Sequence, residues 1–151
     1  MIRKLKQICI AAIYIWIGFL GAISFMEAWL KFQAEGVTRE IGLSIGSLVF
    51  GALNKVENVL GILILGMLFY LKRKTQNIDY AHLIFIPIAI VIAQTFYLLP
   101  LLDARAQLII QGKDVAESSM HHVYVVLEII KLITLFLTAR SLFKNLSLTQ
   151  K

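Results

Sequence analysis

Four long apolar stretches, each fenced by charged residues, constrain this chain more than anything else in it. As a helix, an apolar run of about 20 residues spans about 30 Å, the thickness of a bilayer's hydrocarbon layer. A soluble fold of this size has no room to bury four such runs. Apolar residues make up 59% of the sequence and the mean hydropathy is +0.80, so too little polar surface remains to cover a water-soluble core. The expected fold is all-α: a polytopic membrane four-helix bundle forming a single domain over residues 1–151.

The first span is expected over about residues 8–30. Ile8 to Met26 carries no charge, and the run ends at Glu27, Trp29 and Lys31. Arg3, Lys4 and Lys6 resemble the basic region of a signal peptide, and Ala22-Ile23-Ser24 loosely resembles a cleavage site. The apolar part of a signal peptide covers only about 7–15 residues, however, and this run is longer, so it reads as a retained helix. The third span, about 80–102, contains Pro87 and Gln94 and closes at Pro100, with Asp103 and Arg105 as a helix-ending cap and a loop anchor. Proline is tolerated in a membrane helix where neighbours satisfy the freed carbonyl. The fourth, about 121–140, carries Glu128 and Lys131 in its interior. The second, 54–71, opens on the polar Asn54-Lys55-Val56-Glu57-Asn58 and is preceded by a Gly- and Ser-rich stretch, 41–53. A single helix over 41–71 would reach about 46 Å, more than hydrocarbon requires, so 41–53 is either an extension of the second span or an interfacial helix. Gly42 and Gly46 are spaced as GxxxG, and Ser47 and Gly51 repeat the interval, which suits close backbone packing.

The 15 Lys and Arg against 9 Asp and Glu bracket the apolar runs and form no aromatic-interleaved patch. The charges therefore point to the lipid bilayer as partner and not to nucleic acid. With the N-terminus cytoplasmic, that side collects nine cations: Arg3, Lys4, Lys6, Lys72, Arg73, Lys74, Arg140, Lys144 and Lys151. The opposite loops hold four: Lys31, Arg39, Arg105 and Lys113. Positive charge stays inside, so both termini are expected in the cytoplasm and the protein in a cell inner membrane, crossing it several times. Cys9 is the single cysteine, which excludes an intramolecular disulfide and a CxxC redox or zinc motif.

Polar residues inside the spans gather at similar depths. Counting rise from the basic anchors, Glu57 lies about 22 Å above Lys72, Gln94 about 21 Å above Tyr80, and Glu128 about 18 Å above Arg140. Glu27, about 31 Å above Lys6, and the pair His121 and His122 belong at the outer rim. On the fourth helix Glu117, His121, Tyr124, Glu128 and Lys131 share a stripe; on the second, Asn54, Glu57, Asn58 and Gly61 do. Glu27 and Lys31 are an i,i+4 pair, with Trp16 on the same side two to three turns deeper. An ionised residue at mid-bilayer costs at least about 2.5–3.5 kcal/mol, so these faces should turn towards one another or towards water. Lys131 is expected to pair with Glu128 at i,i+3, or with Glu57 or Glu27 across the bundle.

Several segments resemble those of a known group. They are Phe25-Met26-Glu27-Ala28, Lys31-Phe32-Gln33-Ala34-Glu35-Gly36-Val37-Thr38, Ile41-Gly42-Leu43-Ser44-Ile45-Gly46 and Val49-Phe50-Gly51-Ala52-Leu53-Asn54, followed by Leu99-Pro100-Leu101-Leu102-Asp103-Ala104-Arg105-Ala106 and His121-His122-Val123-Tyr124-Val125-Val126-Leu127-Glu128 before Lys131. Over most of residues 14–138 the chain is similar to a family of small bacterial four-helix membrane proteins. That family is in turn similar, in fold only, to a eukaryotic four-helix membrane group associated with drug resistance. The resemblance implies a four-helix membrane fold and brings no reaction with it.

The expected site is an outward-opening polar pocket of Glu27, Asn54, Glu57, Gln94, His121, Glu128 and Lys131. A non-enzymatic role suits it: binding or moving a small molecule or ion, or serving as an accessory subunit. Four helices leave little room for alternating access, so a transporter of this size needs a second copy or a membrane-complex partner. The alternative is a membrane-embedded metal- or haem-dependent enzyme, with Glu117 and His121 spaced to share an ion, or His121 or His122 as an axial ligand. Against it, the Glu-x-x-His repeat of di-iron bundles is missing, and His82, the third histidine, falls near the opposite membrane edge. The identity of any cofactor stays open. A third class is a purely structural protein in which the charges form an ion-pair network. Ser118 and Ser119 near His121 lack a GxSxG elbow, and no Gly-rich phosphate loop is present.

Overall fold

The helix ends follow from local backbone chemistry. Thr38 caps a long helix: its hydroxyl accepts from the Ile41 amide at 3.3 Å and its carbonyl from the Gly42 amide at 2.9 Å. Glu40 sits in that helix's first turn and Lys72, Arg73 and Lys74 in its last, each sign opposing the adjacent end of the helix dipole. Gly36 precedes it at φ 80°, a conformation that a side chain disfavours, and reverses the chain within the short connection. Gly112, at φ 73°, ends another helix in a Schellman arrangement, with Gly112 N bonded to Ile109 O and Lys113 N to Leu108 O. The Ser118 hydroxyl accepts from the Met120 amide at 3.2 Å and starts the last helix.

The computed structural model describes residues 1–74, 81–116 and 118–147, so Tyr80, Glu117 and Lys151 lie outside the described residues. Four long helices result: α1 (Ile2–Gln33), α2 (Arg39–Lys74), α3 (His82–Ile110) and α4 (Met120–Ser147). All four are long and apolar enough to cross a membrane. Each packs on two neighbours: α1 on α2 and α4, and α3 on α2 and α4. The bundle is therefore a square, with α1 diagonal to α3 and α2 diagonal to α4.

One open choice is decided and one expectation needs amending. Residues 41–53 are no separate interfacial helix, because α2 runs unbroken for 36 residues through the polar Asn54–Asn58 stretch. The third helix does not end at Pro100 but continues to Ile110. A π-helical turn over Gln94–Leu98 lies just before that proline, and a wider turn relieves the clash between the ring and the carbonyl four residues back. Asp103 is accordingly a mid-helix residue, which accepts a hydrogen bond from Ser47 of α2. Arg105 does anchor a loop, donating to the Ala116 carbonyl.

Apolar side chains fill the half of the bundle nearer Ile2 and Lys74. Cys9, Ile13, Trp16 and Leu20 recur at i, i+4, i+7 and i+11 along α1 and are fully buried. They meet Ile64 and Leu68 of α2, Ile84 and Val91 of α3, and Leu135, Ala139 and Leu142 of α4. The outward surface is apolar too, with Leu48, Ile62, Phe96 and Tyr97 each at least 70% exposed. A protein greasy on both faces gains little from hiding apolar area between its helices, so close packing and buried polar contacts must hold them together. Gly61 serves this: a Cβ there would lie 2.7 Å from Ile88 and 3.5 Å from the Trp16 ring. Gly42 and Gly46 do not join two helix backbones. They receive the Phe32 ring and the Lys31 side chain from the end of α1.

Candidate functional site

Above the apolar half, all four helices send polar side chains into one layer. Lys131 of α4 is its hub. The ammonium lies 2.6 Å from Glu57 Oε1 of α2 and 2.7 Å from Glu128 Oε1 of its own helix, and donates to Gln94 Oε1 of α3 at 2.8 Å. Gln94 returns its amide, Nε2 donating to Glu128 Oε1 at 2.7 Å. From α1, the Trp16 indole N–H donates to Glu57 Oε1 at 2.9 Å and the Ser24 hydroxyl to Glu128 Oε2 at 2.7 Å. Lys131 and Gln94 are 0% exposed, and Glu57 and Glu128 1%. Charged hydrogen bonds this short are the strong kind, and they satisfy groups whose burial would otherwise be prohibitive.

The helix turns explain how this layer is assembled. Glu128 and Lys131 are one turn apart on α4 and reach the same point. Two π-helical segments, Gly21–Glu27 and Gln94–Leu98, hold Ser24 and Gln94, and both side chains bond Glu128. A π turn shifts the register of every residue after it and is common at functional positions. Tyr124, one turn before Glu128, is 4% exposed, interacts with Ser24 and Glu128, and sets its ring edge-on to Phe50 at 5.4 Å.

Four of the seven expected site residues thus converge: Glu57, Gln94, Glu128 and Lys131. The other three sit apart. Asn54 forms a neighbouring amide cluster: Asn58 Nδ2 donates to its Oδ1 at 3.2 Å and to Thr95 Oγ1 at 3.0 Å, and the buried Nδ2 of Asn54 has no acceptor among the described residues. Glu27 pairs with Lys31 at 3.1 Å with its side chain 24% exposed, so Lys131 finds Glu57 and Glu128 but not Glu27. The Lys31 ammonium also lies 5.3 Å from the Phe50 ring centre. His121 is exposed and touches His122, ring centres 6.3 Å apart. Ser24 and Thr95 escaped the sequence reading because a lone hydroxyl in an apolar run signals nothing. Only the π turns bring them round.

No family model matches the chain, and neither does any curated protein or solved structure. What the centre does is therefore argued from its own chemistry. Among the described residues, no three His, Cys, Asp or Glu side chains stand close enough to hold a metal ion. Glu57 and Glu128 share their centre with an ammonium, which competes with any metal for the same carboxylate oxygens. The arrangement suits charge exchange: two acids, one base and neutral donors that can reorient between them.

Proposed function

We propose that this chain is a multi-pass protein of a bacterial inner membrane, with both of its ends on the cytoplasmic side. Its Glu57–Glu128–Lys131 centre takes up an exchangeable proton. That uptake is coupled to binding or moving a small molecule or ion, by this protein or by a membrane complex to which it belongs. The role is non-enzymatic. One observation carries this reading: two carboxylates surround one ammonium in a layer where none of the three is more than 1% exposed. A net negative charge in a site shielded from solvent is costly, so the centre favours one further positive charge. Gln94 supports exchange, since its amide bridges the base and one acid and has an acceptor and a donor to offer either.

Infrared difference spectra of the reconstituted protein, recorded while pH is changed, test this directly. The expected result is a carboxyl signal that responds to pH and is shifted or lost in Glu57→Gln and in Glu128→Gln. Carboxylates that remain ionised and indifferent to pH would sink the proposal and leave a structural ion-pair network.

A further inference from the structure

The basic end of the bundle carries a second feature, independent of the buried centre. Where α1 begins beside the end of α2, Met1, Leu5, Gly66, Met67 and Tyr70 line an open, apolar groove of about 380 Å³. Its size fits a length of hydrocarbon chain and not a folded partner. Gly66 forms part of its wall, and a Cβ built there meets nothing within 4 Å. At 100° per residue Arg73 stands on the same stripe of α2 as Gly66, and Lys74 on that of Met67 and Tyr70. Lys4 flanks the groove from α1, next to Leu5. All three cations are exposed. The Arg73 guanidinium rests 4.6 Å from the centre of the Phe69 ring, one turn before it on α2.

Among the described residues, charge at this end is one-sided. Every described acid lies elsewhere: Glu27, Glu35, Glu40, Asp103 and Asp114 are at or near the opposite end, and Glu57 and Glu128 are in the buried layer. An apolar trough that opens sideways and leads up to fixed positive charges complements a molecule with a greasy chain and an anionic head. We infer that this groove binds an anionic phospholipid, its acyl chain along Leu5, Gly66, Met67 and Tyr70 and its phosphate at Lys4, Arg73 and Lys74. Basic recesses between membrane helices are recognised sites for such headgroups.

The test titrates the detergent-purified full chain with phosphatidylglycerol and with phosphatidylcholine of identical acyl chains, counting retained lipid by native mass spectrometry. Wild type is expected to retain phosphatidylglycerol preferentially. Arg73→Gln and Lys74→Gln should each reduce that preference about five-fold, equivalent to about 1 kcal/mol per cation. Gly66→Leu puts a side chain into the trough from a position where an added Cβ meets nothing within 4 Å, and should lower retention of both lipids, while continued shielding of Cys9 from alkylation shows an intact bundle. Equal retention of the two lipids by wild type, undiminished retention in an intact Gly66→Leu, or displacement by inorganic phosphate would overturn the inference. Should Gly66→Leu expose Cys9, the charge variants decide alone, and an unchanged preference in both would overturn it.

Discussion

Replacing Lys131 with methionine keeps most of the side chain's length and removes only its charge and its donors. The ammonium it deletes touches Glu57 at 2.6 Å, Glu128 at 2.7 Å and Gln94 at 2.8 Å. Removing one member of a buried ion pair costs about 3–5 kcal/mol, because the partner is left charged in a medium that cannot solvate it. Here two carboxylates lose the same partner. For a chain of this length that corresponds to a fall of roughly 6–20 °C in melting temperature. Cys9 provides the assay: it is the single cysteine and is 0% exposed, so a thiol-reactive fluorophore labels it only as the bundle opens. Neutralising the acids as well, in Glu57→Gln/Glu128→Gln/Lys131→Met, removes the stranded charges and keeps the hydrogen bonds from Trp16 and Ser24. The triple variant should therefore recover at least half of the loss. A Lys131→Met variant that melts within about 1 kcal/mol of wild type, or a triple variant no more stable than the single, would refute the account of a tightly coupled buried network.

Three further outcomes follow from the same packing. Trp16→Phe keeps the ring in the core but removes the indole donor to Glu57, and should cost about 1.5–3 kcal/mol in the Cys9 labelling assay, as expected for a hydrogen bond to a charged group. Gly61→Val pushes a side chain into Ile88 and Trp16 and should destabilise by about 1–3 kcal/mol, with a shift in tryptophan emission that reports the displaced ring. Glu27→Gln alters a partly exposed pair and should stay within about 1 kcal/mol of wild type, whereas Glu57→Gln should cost clearly more when melted in parallel.

Much of the architecture was legible in the residues. Apolar runs of bilayer length can form only helices when no water is present to satisfy the backbone, so four helices followed from the sequence. Periodicity also brought Glu128 and Lys131 onto one face, and helical rise put Glu57 and Gln94 at a matching depth. Where reasoning from the residues fell short, it had treated helix geometry as uniform. Pro100 read as a stop, yet a π turn ahead of it lets α3 continue. Glu27 and His121 were placed in the site by depth, but the turn of their helices leaves them beside Lys31 and at the surface.

Sequence alone determined that this chain consists of apolar helices with a few charges too costly to face lipid, since transfer energies depend on composition and length. Which charge meets which was a tertiary decision. It depends on the square packing that points Glu57 and Lys131 across a diagonal, while two π segments rotate the neutral partners Ser24 and Gln94 onto Glu128. Register shifts of a single residue turn a side chain by about 100°, and no local signal in the sequence records them.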